Sequence, residues 1–305
     1  MNITGNTKLY FILADPIDQV RAPELFNHIF ASEGIDAVLV PLRVAPADLD
    51  SSIRSLFKSS NTAGILLSIP HKPAAARMVD QCSAEAGIAG AINAIRKNAA
   101  GELEGDMFDG VGFLRALRHA GIAYAERRVL LVGAGGAASA IATALAGAKA
   151  GAISIYDPCI EKSQQLAALL RRNFGIQAQA ATSSDPQGQD LIVNASPLGL
   201  RSEDPLPVDV SRIDAGAAVC DILMKNQPTP FLRAVRARGL VAEPGFEMLL
   251  QQTSFYLDFF GHAAAAASVR ADASALQDLL YPADMLERKA SGEPLKHLKS
   301  STRET

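Results

Sequence analysis

The chain has 305 residues, 49% of them hydrophobic and 20% charged, with a formal net charge of -3. That length exceeds what a single core usually fills, so two domains are expected, and the composition excludes disordered and fibrous classes. No basic excess points to nucleic acid, and the three scattered cysteines, Cys82, Cys159 and Cys220, form neither a disulfide framework nor a zinc site, so a reducing cytoplasm and no metal are expected.

The first apolar run, within LYFILAD, is too short for a signal peptide or a membrane span and reads as a strand. Pro23 to Glu33 follows as a helix, with Leu25, Phe26, Ile29 and Phe30 on one face and Gly34 as its stop. DAVLVPL is the next strand. Pro46 to Lys58 is a helix with Leu49, Ile53, Leu56 and Phe57 inward, and AGILLSIP is a buried strand that delivers His71 and Lys72 at its end. A second βα series starts near Arg128 with VLLVG, AASAIATALAGA, AISIYD and a helix over Pro158 to Asn173, then strands at DLIVNAS and AAVCDIL. Gly245 to His262 is again helical and returns toward the first domain. The fold class is therefore α/β: a substrate domain over 1–109, a doubly wound Rossmann domain over 110–244, a helical segment over 245–287 and a polar tail over 288–305.

Val129 to Val132 run straight into Gly133-Ala134-Gly135-Gly136-Ala137, and an alanine-rich helix follows. This is the context that a dinucleotide fingerprint requires: Gly133 for the tight turn, Gly135 for close approach of a pyrophosphate, and a small Ala138 for helix-on-strand packing. Asp157 ends the next strand, where an acid takes the ribose hydroxyls of NAD. Followed by Pro158, it is equally suited to cap the next helix. NADP calls for an arginine or lysine after this strand, and the sequence is Asp157-Pro158-Cys159, so NAD is preferred over NADP.

Lys72 at a strand end and Asp109 in GDMFDGVGF read together as an acid-base pair, a lysine to exchange the proton and a carboxylate to orient the substrate hydroxyl. Eight stretches, ADPIDQVRAPELFN, GILLSIPHK, GAINAI, GDMFDGVGF, LVGAGGAA, VNASPLGL, CDILMKNQPTPFL and PGFEMLLQQ, stand in the order found in the shikimate dehydrogenase family, which the chain resembles from about residue 10 to 262. The resemblance implies reversible hydride transfer between a nicotinamide and a ring hydroxyl of shikimate, quinate or a related cyclic hydroxy acid. It implies catalytic roles for Lys72 and Asp109, and substrate binding by Ser68, Asn93 and Gln252. Cofactor contacts fall on Gly133, Gly135, Gly136, Ala137, Asn194 and, near the nicotinamide, Gly245, with Ala134 and Ser196 beside them in the same motifs.

The chain departs from the family in its pocket. Val20 and Ala22 replace two serines that hold the substrate carboxylate, Leu66 replaces an asparagine, Phe108 a threonine and Met224 a tyrosine. Each lost partner of a charged group typically costs about 1 to 3 kcal/mol. Arg21 is a candidate clamp for the carboxylate, although in an extended stretch it would point away from a pocket faced by Val20 and Ala22. Two alternatives stay open: a dehydrogenase of a less polar hydroxy compound, and an NAD-binding sensor without turnover. The expected partner is a small molecule, with no nucleic acid and no membrane, acting on a monomer or homodimer.

Overall fold

The structure, a computed structural model, describes residues 3–225 and 227–282. The tail expected at 288–305 and the end of the helical segment from 283 onward lie outside the described residues. The chain divides into two compact units, the first built from the stretch up to Ala116 with Gly135–Ala144 and Glu247–Leu280, the second from Leu117–Ala134 and Leu145–Phe246.

In the first unit, strand β1 (Lys8–Ala14) leads to helix α1 (Ala22–Ser32), β2 (Ala37–Arg43), α2 (Leu49–Leu56) and β3 (Thr62–Leu67). A short helix α3 (Lys72–Ala75) is followed by β4 (Gln81–Cys82), α4 (Ala84–Ala89), β5 (Ala94–Lys97), β6 (Leu103–Asp106) and α5 (Asp109–His119). The sheet order is β2-β1-β3-β5-β6-β4. β1 pairs in parallel with both β2 and β3, so the chain winds in opposite directions on either side of β1, while β5 lies antiparallel to β3 and to β6. The continuous apolar runs ILA in β1 and GILL in β3 are buried on both faces, as central strands require. The short β5 and β6 go beyond the expected elements, because four-residue strands around the Gly101 turn carry too little periodic signal.

The second unit opens with β7 (Arg128–Val132); α6 (Gly136–Gly147) follows in the chain, only its end from Leu145 belonging to this unit. The unit continues with β8 (Ala152–Tyr156), α7 (Ile160–Phe174), β9 (Gln177–Ala180), β10 (Leu191–Asn194), β11 (Ala218–Asp221), α8 (Pro230–Ala237) and β12 (Val241–Pro244). Its all-parallel order, β12-β11-β10-β7-β8-β9, is that of a dinucleotide-binding sheet, with the change of winding direction between β7 and β10. The first turns of α6, up to Ala144, pack within the first unit.

The helices α9 (Phe246–Phe259), α10 (Ala263–Ala271) and α11 (Ser274–Leu280) close the described chain. All of α9 beyond Phe246 groups with the first unit. Its Tyr256 and Phe259, with Phe260 just after it, join Phe26, Phe30, Tyr10 and Phe108 in one aromatic cluster, with ring centroids 5.0–6.4 Å apart. Edge-to-face packing of this kind adds about 0.5–1.5 kcal/mol per pair beyond area burial.

Candidate active site

In the first unit the winding direction changes between β1 and β3, and ligands of open α/β sheets collect beyond the strand ends at such a point. The loops leaving β1 and β3 are stitched together there: Ser68 N donates to the Leu13 carbonyl at 2.9 Å and Asp15 N to the Ile69 carbonyl at 3.0 Å. These two loops carry Val20, Arg21 and Ala22 on one side and Ser68, His71 and Lys72 on the other. His71 Nε2 lies 2.9 Å from the Val44 carbonyl, and burial lowers its pKa, so the imidazole adds no second cation beside Lys72.

Lys72 Nζ donates to Asp109 Oδ2 at 2.6 Å, with side-chain exposures of 15% and 2%. Asp109 opens α5, where the helix dipole favours a carboxylate. Its other oxygen accepts from Asn93 Nδ2 at 2.9 Å. The Phe108 N–H donates to Asn93 Oδ1 at 3.0 Å, which fixes the direction of the amide and leaves Nδ2 as the donor toward Asp109. Gln252 Oε1, from α9, stands 3.5 Å from Asn93 Nδ2. Lys72, Asn93, Asp109 and Gln252, drawn from three distant parts of the sequence, thus meet in one network.

The altered pocket positions separate. Ala22 and Leu66 are buried, and Val20 is half-buried. The Phe108 ring packs against Phe255, Tyr256 and Phe259, so this residue serves the aromatic cluster. The stretch around Arg21 is not extended, contrary to expectation: Arg21 is the helical N-cap of α1 and Ala22 is its first residue, because Pro23 favours a helix start. The guanidinium forks onto Glu24 at 2.7–3.0 Å and reaches the Leu279 carbonyl at 3.0 Å. Gln19, in the loop between β1 and α1, is a buried polar residue that the sequence does not single out. It is 8% exposed, and neither its amide nitrogen nor its oxygen has a partner among the described residues. A single glutamine in a loop gives no periodic signal that could have flagged it.

In the second unit, Gly133 has φ +107°, and a methyl group there would lie 2.7 Å from the Ala195 carbonyl oxygen, so both conformation and space demand glycine. Asp157 Oδ2 accepts the Ala134 N–H and Oδ1 the Cys159 N–H, each at 2.9 Å. The capping expectation is corrected here: α7 starts at Ile160 with Cys159 as N-cap, and Asp157 instead closes a turn two residues long and braces the glycine loop. Asn194 is fully buried, donating to Asp221 Oδ1 and the Leu198 carbonyl and accepting from Ser196. Asn194 and Ser196 therefore shape the loop that faces Gly133. Gly245 is pressed to within 2.6 Å of the Ile222 backbone at its absent Cβ, and Met224 is half-buried after β11.

The glycine turn fits a dinucleotide. A Cβ at Gly135 would meet nothing within 4 Å, which leaves open space above the turn. The N–H groups of Gly135, Gly136 and Ala137 have no protein acceptor among the described residues and are the unpaired donors of a helix start. No group of His, Cys, Asp or Glu among the described residues could hold a metal ion, and none of the described helices is long and apolar enough to cross a membrane.

The family model for the shikimate dehydrogenase substrate binding domain matches residues 12–95. A shikimate dehydrogenase (NADP(+)) from Acidiphilium cryptum is 38% identical over 257 residues, covering 83% of this chain and 90% of that protein. The chain belongs to the shikimate dehydrogenase family. Among solved structures, shikimate 5-dehydrogenase from Listeria monocytogenes, in complex with shikimate and NAD, superposes with a TM-score of 0.76 at 24% identity, covering 88% of this chain and 98% of that one. The ligand-free 5-ketofructose reductase of a Gluconobacter strain superposes with a TM-score of 0.73 at 26% identity, covering 86% of this chain and 97% of that one. Family membership makes the chain an NAD(P)-dependent oxidoreductase acting on a CH–OH group, with an α/β substrate domain and a Rossmann domain.

Proposed function

We propose that the chain is an NAD-preferring dehydrogenase that interconverts a ring hydroxyl of shikimate, quinate or a related cyclic hydroxy acid with the ketone, using Lys72 and Asp109 as the acid-base pair. The observation that carries the reading is the 2.6 Å contact between Lys72 Nζ and Asp109 Oδ2. In the oxidative direction the ammonium of Lys72 first releases a proton to solvent, its amine then takes the proton of the substrate hydroxyl, and the carbon bearing that hydroxyl gives up a hydride. The nicotinamide, when bound, accepts that hydride. Asp109 aims the lysine, Asn93 holds Asp109, and Ser68, Asn93 and Gln252 bind the substrate hydroxyls. Gly133 to Ala137 would hold the pyrophosphate, with Asp157 favouring NAD because no arginine follows it to meet a 2'-phosphate. The three free cysteines support a reducing compartment, in which the enzyme works as a monomer or homodimer.

The test is reduction of NAD and of NADP in the presence of a panel of cyclic hydroxy acids. Turnover with NAD preferred supports the reading, and no turnover of any panel member sinks the substrate half of it. A second reading is favoured by Val20, Ala22 and Leu66, and by an Arg21 already engaged with Glu24: the substrate lacks a carboxylate and is a neutral polyhydroxy ketone or alcohol, the class named for the Gluconobacter reductase. Reduction of 5-ketofructose with no turnover of shikimate or quinate would decide for it.

A further inference from the structure

Two absent side chains tie one helix to both members of the acid-base pair. A methyl group at Gly136, the first residue of α6, would lie 2.9 Å from Lys72 Cβ, 3.3 Å from Pro73 Cδ and 3.4 Å from Ala91 Cβ. One turn and two turns further along the same helix, Ala140 and Ala144 face Gly110, the neighbour of Asp109. A methyl group at Gly110 would come within 2.6 Å of the Ala140 carbonyl oxygen and 2.8 Å of Ala144 Cβ. Between these contacts Ser139 Oγ donates to the Ala89 carbonyl at 2.6 Å, anchoring α6 beside the segment that carries Ala91 and Asn93. Elsewhere on α5, Gly112 admits α9 in the same manner, since its absent Cβ would lie 2.7 Å from Gln252 Cβ and from the Met248 carbonyl oxygen.

We propose that α6 is the positioning element of the acid-base pair, its first turn seating Lys72 through Gly136 and its later turns seating Asp109 through Gly110. This rests on the reading of Lys72 and Asp109 as that pair. Gly136 is then glycine because the lysine needs the space. Gly135, with open space where its Cβ would be and no unusual backbone angle, is glycine because the cofactor does. The contacts on Gly110 are to backbone and to a short side chain, neither of which can swing aside, so any added bulk must move a helix. A lysine-to-carboxylate contact of 2.6 Å has no slack to absorb such a shift.

The experiment compares Gly136→Ala, Ala144→Val and Gly135→Ala in the full chain, reading kcat, the NAD dissociation constant and the 13Cε NMR signal of Lys72, assigned by its loss in Lys72→Ala. In Ala144→Val, kcat falls about 10- to 100-fold while NAD binding changes less than about threefold, and the Lys72 signal moves. In Gly136→Ala the Lys72 signal moves and kcat falls, with NAD binding weakened as well because Gly136 belongs to the turn that would hold the pyrophosphate. In Gly135→Ala, NAD binding weakens and the Lys72 signal stays in place. Ala144 is half-buried and distant from the glycine turn in sequence, so Ala144→Val decides the matter even if Gly136→Ala fails to fold. An unmoved Lys72 signal in both α6 variants, or a loss in Gly136→Ala confined to NAD binding, overturns the proposal. If the unaltered enzyme turns over no panel substrate, the chemical reading fails while the Lys72 signal still decides whether α6 positions the lysine.

Discussion

The backbone N–H of Phe108 donates to Asn93 Oδ1, so the Asn93 amide presents only its nitrogen to Asp109, 2.9 Å away. A backbone donor next to the carboxylate thus dictates the chemistry of the residue that holds it. Asn93→Asp would set a second carboxylate against Asp109 in a fully buried position. Its expected cost is about 3–5 kcal/mol, the penalty of an uncompensated buried charge, read as a lowered Tm at pH 7.

Lys72→Ala removes the group proposed to exchange the proton of the substrate hydroxyl and leaves Asp109 without its 2.6 Å partner. The expected result is a 10²- to 10⁴-fold loss of kcat, on the order of a missing general acid-base, with NAD binding retained. A sensor without turnover would show no change in its output, so this measurement also separates the enzyme from a nucleotide-binding sensor.

Asp221 supplies a pH dependence of stability. Burial pushes its carboxyl up from 3.8 to about 6, against the hydrogen bonds from Thr229, Leu223 and Asn194 that pull it down. Between those values the folded chain keeps a proton that the unfolded chain has released. Stability from this group is therefore fully present below about pH 4 and is lost as pH rises through about 6, for a total of about 3 kcal/mol. Asp221→Asn keeps an acceptor for Asn194 and Leu223, so it should remove most of that slope in thermal denaturation at pH 4.5, 5.5 and 7. An unchanged slope would assign the pH dependence elsewhere.

Asp157 accepts N–H groups from both the glycine loop and the start of the segment leading to α7. Asp157→Ala leaves both donors without it, and the expected loss of stability is about 1–2 kcal/mol, comparable to a lost cap. NAD affinity should fall further than NADP affinity, measured by titrating each cofactor, because only NAD leaves the ribose hydroxyl for the carboxylate.

Placing serines at the two altered positions, Val20→Ser with Ala22→Ser, tests whether the substrate carries a carboxylate for their hydroxyls to hold. For a cyclic acid substrate KM should fall by an amount equivalent to about 1–3 kcal/mol. For a neutral polyhydroxy substrate the same pair should raise KM or leave it unaltered.

Much of the fold is legible in the chain because its cues are local. The apolar run of β7, the Gly133 turn and the small-residue helix α6 lie within about twenty consecutive residues, and each announces itself by period and by glycine. The alternation of apolar runs with helical stretches likewise foretells two α/β sheets. Weakly periodic pieces are not legible: β5 and β6 are four residues each, and their antiparallel pairing depends on partners that no window of sequence contains.

The site divides along the same line. Residue type suggests Lys72 and Asp109 as an acid-base pair, and the family resemblance carried by motif order adds Asn93 and Gln252 as expected members. Their distances, the fixed direction of the Asn93 amide, the diversion of Arg21 to Glu24 and of Phe108 into aromatic packing are decided only by tertiary structure. Sequence carries the chemistry of each side chain and the period of each element. Which groups meet, and which are already engaged, follows from packing among segments far apart in the chain, where a missing Cβ at Gly110, Gly112 or Gly136 determines how closely two segments approach.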